Sequence, residues 1–153
     1  MNRSISQIID KEHNQTRIWY PGSFYANQEW INYLSKRYQG AWYFSDTQSN
    51  LPEWVGSIPR ARCTINLDTL SETALEFQIK LKPDVIIISN HPGLKCLSEV
   101  EQWLNQFIHK PQILVCCFIA TVSGNYLNEN VKGYEMVSEL NREGCKVFEF
   151  KRG

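Results

Sequence analysis

The chain predicts a three-layer α/β sandwich around a mainly parallel sheet, of the flavodoxin-like or Rossmann-like kind. Three observations carry this. From Arg62 onward, short apolar segments alternate with amphipathic segments at helical spacing, the order that βαβ crossovers produce. Two of the apolar segments, Val85-Ile86-Ile87-Ile88 and Ile113 to Ala120, are continuous runs, as expected where helices cover a sheet on both faces. The 153 residues match one domain, 1–153, with an insertion at 46–59.

Each element has its own signal. Ile5 to Glu12 reads as a short helix. Arg17 to Tyr20 is a strand stopped by Pro21-Gly22. Tyr25 to Tyr38 spaces Trp30, Ile31, Leu34 and Tyr38 as one helical face. Ala41 to Ser45 is rich in strand formers, and Asp46 to Pro59, with two prolines and a glycine, reads as loop. Arg62 to Leu67 alternates as a half-buried strand. Asp68 then caps a helix, Thr69 to Leu81, that buries Leu70, Ala74, Phe77 and Leu81. Pro83 ends it, and Asp84 to Asn90 is a buried strand. Leu97 to His109 is amphipathic, with Ser98 and Glu101 spaced as a capping box. After Pro111 comes the strand Gln112 to Ala120, then a polar loop, Thr121 to Asn130. Val131 to Asn141 reads as a helix, and Lys146 to Phe150 as the last strand.

Composition excludes several classes. With 42% hydrophobic and 21% charged residues, the chain folds as an ordinary globular domain. Sixteen basic and sixteen acidic residues give zero net charge, which argues against a broad nucleic-acid-binding face. The five cysteines show no CxxC spacing, so they read as reduced core thiols of a cytoplasmic protein, with no metal site. Cys116 and Cys117 are adjacent in an apolar run, one for each face of a buried strand. No apolar run approaches the ~20 residues that span a bilayer, so no membrane partner is expected. Aromatic residues crowd the first third; most are expected in the core, with a minority free to form a partner face.

In open parallel sheets, ligands bind beyond the carboxyl ends of the strands. The segments that fall there are Tyr20-Pro21-Gly22-Ser23, Ser89-Asn90-His91-Pro92-Gly93, Thr121-Val122-Ser123-Gly124 and Lys151-Arg152. The candidate ligand-binding residues are therefore Ser23, Ser89, Asn90, His91, Thr121, Ser123 and Lys151. Hydroxyls, a histidine, glycine turns and cations together would suit a small phosphorylated ligand. No acidic residue lies in these four segments to pair with His91, and no catalytic residue or cofactor is assigned.

Pro83-Asp84-Val85-Ile86-Ile87-Ile88-Ser89-Asn90-His91-Pro92-Gly93 resembles the third strand of response-regulator receiver domains, where the strand ends in the phosphate-accepting Asp. Ser89 stands at that position. Gly144-Cys145-Lys146-Val147-Phe148-Glu149-Phe150-Lys151 resembles the receiver's last strand, with Lys151 matching its lysine, and Thr121 lies near the switch position. The resemblance covers about Arg62 to Lys151. It lacks the acceptor Asp, the acidic pair on the first strand, and the final helix. It implies a pseudo-receiver that docks to a protein partner or a second copy of itself without being phosphorylated.

Val147-Phe148-Glu149-Phe150-Lys151 also resembles the catalytic strand of PD-(D/E)xK nucleases, which would require Glu135 or Glu139 as the second metal carboxylate. Tyr20-Pro21-Gly22-Ser23-Phe24 resembles the opening of certain nucleotidyltransferases. Those need a histidine motif that Tyr25 to Tyr38 does not contain. The sequence thus points first to a non-catalytic, receiver-like signalling or protein-interaction module. The alternative is a small-molecule or nucleotide-binding domain or enzyme with its site at the strand ends, and the nuclease comes third.

Overall fold

The computed structural model describes residues 16–22, 28–47, 61–65, 67–89, 91, 93–119, 131–142 and 145–153. Among them are seven strands and three helices. In chain order these are β1 (Arg17–Pro21), α1 (Gln28–Arg37), β2 (Ala41–Asp46), β3 (Ala61–Ile65), α2 (Glu72–Leu81), β4 (Val85–Ser89), α3 (Leu97–Leu104), β5 (Ile113–Ile119), β6 (Tyr134–Arg142) and β7 (Cys145–Arg152). The strands form one sheet in the order β3-β2-β1-β4-β5-β7-β6. β1 to β5 pair in parallel, and β7 runs antiparallel to both of its neighbours. This is a Rossmann-like α/β fold. Strand order reverses between β1 and β4, the point where such sheets hold ligands.

The two faces of the sheet sort the apolar residues into two cores. One face carries Trp19, Ile86, Ile88, Leu114, Cys116, Phe148 and Phe150 against Phe77, Trp103 and Phe107 from α2, α3 and the turn after α3. The other carries Ile18, Tyr20, Trp42, Phe44, Ile87 and Cys117 against Trp30, Ile31 and Leu34 of α1. Cys116 and Cys117 do point to opposite faces, as a two-residue period requires. Three buried indoles find an acceptor: Trp19 Nε1 donates to Ser45 Oγ at 2.9 Å, Trp42 Nε1 to Tyr38 O at 3.0 Å, and Trp103 Nε1 to Thr69 O at 3.1 Å. Of the early aromatics, Trp19, Tyr20, Trp30, Tyr38, Trp42, Tyr43 and Phe44 are buried. Tyr33 is half-buried and stacks on Trp30, so the described residues show no cluster of exposed aromatics there. Phe24, Tyr25 and Trp54 lie outside the described residues.

Several expectations need correction. Val131 to Asn141 is not a helix; Tyr134 onward is β6, paired with β7. Val131, Tyr134, Val137 and Leu140 recur every third residue and imitate a helical face. A bulge between Met136 and Ser138 breaks the alternation of the strand and turns Val137 outward, 49% exposed. Without β6, β7 would present an unpaired edge, and the cross-strand pairing overrides the helical pattern.

The cap of α2 is Ser71, whose Oγ accepts from Ala74 N at 3.2 Å. Asp68 instead shapes the preceding turn, accepting from Leu70 N at 3.1 Å, and Leu70 is left exposed. α3 is capped at Cys96 rather than Ser98 and ends at Leu104. Lys110 Nζ closes its carbonyl end, donating to Leu104 O at 2.7 Å and Phe107 O at 3.3 Å, as suits a cation at a helix C-terminus. The expected helix at Ile5 to Glu12, the insertion beyond Thr47 and the loop Thr121 to Asn130 lie outside the described residues.

Candidate functional site

At the carboxyl ends of the parallel strands three turns meet. β1 runs into Gly22, which adopts a left-handed φ of +67° and donates its N–H to Ser45 O at 2.8 Å, joining the ends of β1 and β2. β2 ends at Asp46, buried at 6% exposure, whose Oδ1 accepts from Thr47 N at 2.7 Å. Leu67 N donates to Asp46 O at 3.2 Å, which brings Asp68 to the same end of the sheet. Beyond β4, His91 lies over Gly22: a Cβ on Gly22 would stand 2.4 Å from His91 Cδ2.

The imidazole is fixed by Gly93, whose N–H donates to His91 Nδ1 at 2.9 Å. The accepting Nδ1 leaves the ring proton of the neutral form on Nε2. Burial holds the His91 pKa below the usual histidine range, and the nearby carboxylates of Asp46 and Asp68 pull it part of the way back. His91 is thus a neutral donor at pH 7 in an acidic setting.

The residues expected at this site are dispersed. His91 is there. Ser89 ends β4 but is buried on the α1 face, beside the Tyr20 hydroxyl, whose pKa burial pushes far up and Ser89 partly restores. Lys151 is elsewhere. It pairs with Ile113, which is level with Val85, whereas Ser89 is level with Cys117 and Val147. Four residues of strand separate the two levels, roughly 13 Å. Lys151 lies at the foot of the sheet because β7 runs antiparallel; the expectation placed its end with the parallel strands. Ser23, Asn90, Thr121 and Ser123 lie outside the described residues.

The two carboxylates of the site were missed. Asp46 and Asp68 lie outside the four strand-end segments, and only the strand order brings them near His91. Asp46 carried a usable signal, since an acid roughly twenty residues past the first βα turn is where Rossmann-like folds meet a ribose.

The described geometry gives Glu149 a structural tie in place of the metal-binding role of the nuclease reading. Glu149 accepts from Arg37 Nε at 3.1 Å, from Arg37 Nη2 at 2.8 Å and from the Tyr38 hydroxyl. This ties β7 to the end of α1. Glu135 lies on β6 opposite Lys151. Among the described residues no group of three or more His, Cys, Asp or Glu side chains could hold a metal ion.

No protein-family profile matches the chain, and no curated protein matches it in sequence. Solved structures match it in shape. TrmK of M. capricolum, solved in complex with its cofactor product S-adenosyl-homocysteine, superposes with a TM-score of 0.58 at 14% identity, over 100% of this chain and 69% of that one. A conserved hypothetical protein of Streptococcus pyogenes gives 0.57 at 13% identity, over 90% and 86%. An rRNA methylase of Escherichia coli gives 0.52 at 8% identity, over 92% and 58%.

Methylases and methyltransferases recur among the proteins of this shape. At such identities the likeness shows the fold alone, the Rossmann-like fold that methyltransferases use. It overturns the receiver resemblance and, with it, the reading as a non-catalytic signalling module. The strand order supplies the physical reason. A receiver has the order 2-1-3-4-5, so its third strand lies next to its first. Here β3 lies at the far edge beyond β2, and the segment Pro83 to Gly93 surrounds the fourth strand. Among the described residues no helix is long and apolar enough to cross a membrane.

Proposed function

We propose that this chain binds S-adenosylmethionine at the ends of β1, β2 and β4 and serves methyl transfer. The observation that carries the reading is Asp46: a buried carboxylate at the end of β2, joined through Ser45 to the Gly22 turn at the point where strand order reverses. A carboxylate there can accept from two vicinal ribose hydroxyls.

The remaining residues discriminate between nucleoside cofactors. A dinucleotide needs a glycine-rich turn to cradle its pyrophosphate, and Pro21-Gly22-Ser23-Phe24-Tyr25-Ala26 holds a single glycine. The space over that glycine is taken by an imidazole. Among the described residues, Asp46, Asp68 and a neutral His91 give the site a negative balance, which disfavours phosphate and favours a cation. A sulfonium nucleoside carries no phosphate and a positive centre, and so fits what is present. When bound, it would supply an electrophilic methyl group. Asp46 then holds ribose, Asp68 adds negative potential at the mouth, and the Nε2–H of His91 is a donor facing the bound molecules. Small-ligand binding at the strand ends agrees with the alternative drawn from the sequence, with a cationic nucleoside in place of a phosphate.

The test is isothermal titration of the chain with S-adenosylmethionine, with NADH as control. Saturable binding of the first and none of the second is expected. Asp46→Asn keeps the shape of the side chain and removes its charge. Hydrogen bonds to a charged group contribute about 1.5–3 kcal/mol, so affinity should fall about 10- to 150-fold. No binding at millimolar concentration, or equal binding by the variant, would refute the reading.

A further inference from the structure

At the foot of the sheet, opposite the nucleoside site, a cavity of about 500 Å³ is lined by Asn105, Lys110, Lys132, Gly133, Tyr134 and Arg152. That is within the size range of small-molecule pockets. Among the described residues, three of the six that line it are cations and none is an acid, with the Glu101 carboxylate outside that lining on the Lys132 backbone. They come from three separate places: the turn after α3, the turn before β6, and the end of β7.

Helix electrostatics accounts for one of the three. Lys110 sits at the carbonyl end of α3 and donates to it, as its position demands. It does not account for Arg152 or Lys132. The Arg152 backbone is fixed at both polar groups: its N–H donates to Gln112 O at 2.9 Å, and its carbonyl accepts from Gln112 Nε2 at 3.3 Å. Its Nη1 donates to Lys110 O at 2.8 Å, which holds the guanidinium in one place. A guanidinium has five N–H donors, and an anion is what its remaining fork suits.

Lys132 is exposed, and its backbone N–H is held by Glu101 Oε1 at 2.5 Å. Tyr134 is half-buried, with its hydroxyl donating to Pro111 O at 2.5 Å. Its pKa is pushed up to about 12, chiefly by burial, while the charge of Arg152 acts the other way. The ring therefore offers an apolar wall with a cation beside it.

We propose that this groove is a second binding site, for a small molecule with an aromatic body and a phosphate monoester. Arg152, Lys132 and the remaining donor of Lys110 meet the phosphate, and Tyr134 meets the body. A small ligand fits better than a nucleic-acid strand. The cations converge on one concavity, and the neighbouring cation on β7, Lys151, lies opposite Glu135 on β6, which interrupts a basic stripe. The proposal stands apart from the nucleoside site, with which it shares no residue.

The experiment is a thermal-shift and calorimetric titration of the whole chain with phenyl phosphate, at constant ionic strength, with inorganic phosphate, phenol and a short single-stranded RNA in parallel. Phenyl phosphate should raise the melting midpoint saturably, bind more tightly than inorganic phosphate, and weaken about tenfold in both Lys132→Ala and Arg152→Gln. Lys132 is exposed, so its variant tests the charge without disturbing the fold. S-adenosylmethionine titrations should be unchanged in both variants. The proposal is overturned if phenyl phosphate gives no saturable shift, if its binding is unchanged in both variants, or if the RNA binds and phenyl phosphate does not.

Discussion

Replacing Gly22 with alanine tests the geometry on which the nucleoside site depends. Gly22 has φ +67°, and a side chain there incurs the left-handed penalty of about 1–2 kcal/mol. A second cost is specific to this site. The new methyl would stand 2.4 Å from His91 Cδ2, so the imidazole must shift, at the expense of its 2.9 Å bond from Gly93 N–H. A bond of this kind contributes about 0.5–1.5 kcal/mol. Together these predict a loss of about 1.5–3.5 kcal/mol, and a melting midpoint lower by about 3–14 °C for a domain of this size.

Gly133→Ala is the control. Gly133 also has a positive φ, +86°, but a Cβ there meets nothing within 4 Å, so only the backbone penalty applies. Urea unfolding gives the stabilities, and NMR titration of the His91 ring supplies a readout that global stability does not. In Gly22→Ala the displaced imidazole should titrate closer to an ordinary histidine; in Gly133→Ala it should not change. Equal losses in the two variants, with His91 titrating as before in both, would refute the account of His91 over Gly22.

Other consequences follow from the same contacts. The His91 pKa is lower in the folded chain than its unfolded value of about 6.5, so the unfolded state takes up protons first on acidification. The His91 contribution is complete above about pH 6.5 and is lost as pH falls through the folded pKa. His91→Gln should flatten that part of the stability profile in urea melts, and an identical pH slope would contradict the assignment. Trp103→Phe removes the donor to Thr69 O, a carbonyl on a residue only 3% exposed. An unpaired buried acceptor costs about 1–3 kcal/mol, and a loss well below this in urea would show that the carbonyl finds another partner. Glu149→Gln breaks an ion pair whose Arg37 side chain is 44% exposed. Solvent screening keeps that loss below about 1 kcal/mol, and a larger drop in the midpoint would mean the pair matters more than its exposure implies.

Much of the fold was legible because its signals are local. Val85 to Ile88 and Ile113 to Ile119 read as buried strands from composition, and each proved to lie mid-sheet with helices on both faces. The helical faces of α1 and α2 were found from Trp30, Ile31 and Leu34 and from Ala74, Phe77 and Leu81, all buried. β6 was not legible, because its threefold apolar spacing imitates a helix and the choice is made by β7, which follows it in the chain.

The site was harder for a related reason. His91 could be placed at a strand end from its neighbours alone. Asp46 and Asp68 join it only because β1 lies between β2 and β4, an order that no local pattern encodes. The same ignorance put Lys151 at the wrong end of the sheet, since the direction of β7 depends on whether a helix or a strand precedes it.

The central claim is that a sulfonium nucleoside binds at the ends of β1, β2 and β4. Amide chemical-shift mapping of the labelled chain during titration with S-adenosylmethionine tests it most directly. The account predicts saturable shifts centred on Gly22, Asp46 and Ser89, with the His91 ring perturbed and Gly133 and Arg152 unmoved. An absence of shifts, or shifts confined to the foot of the sheet, would contradict it.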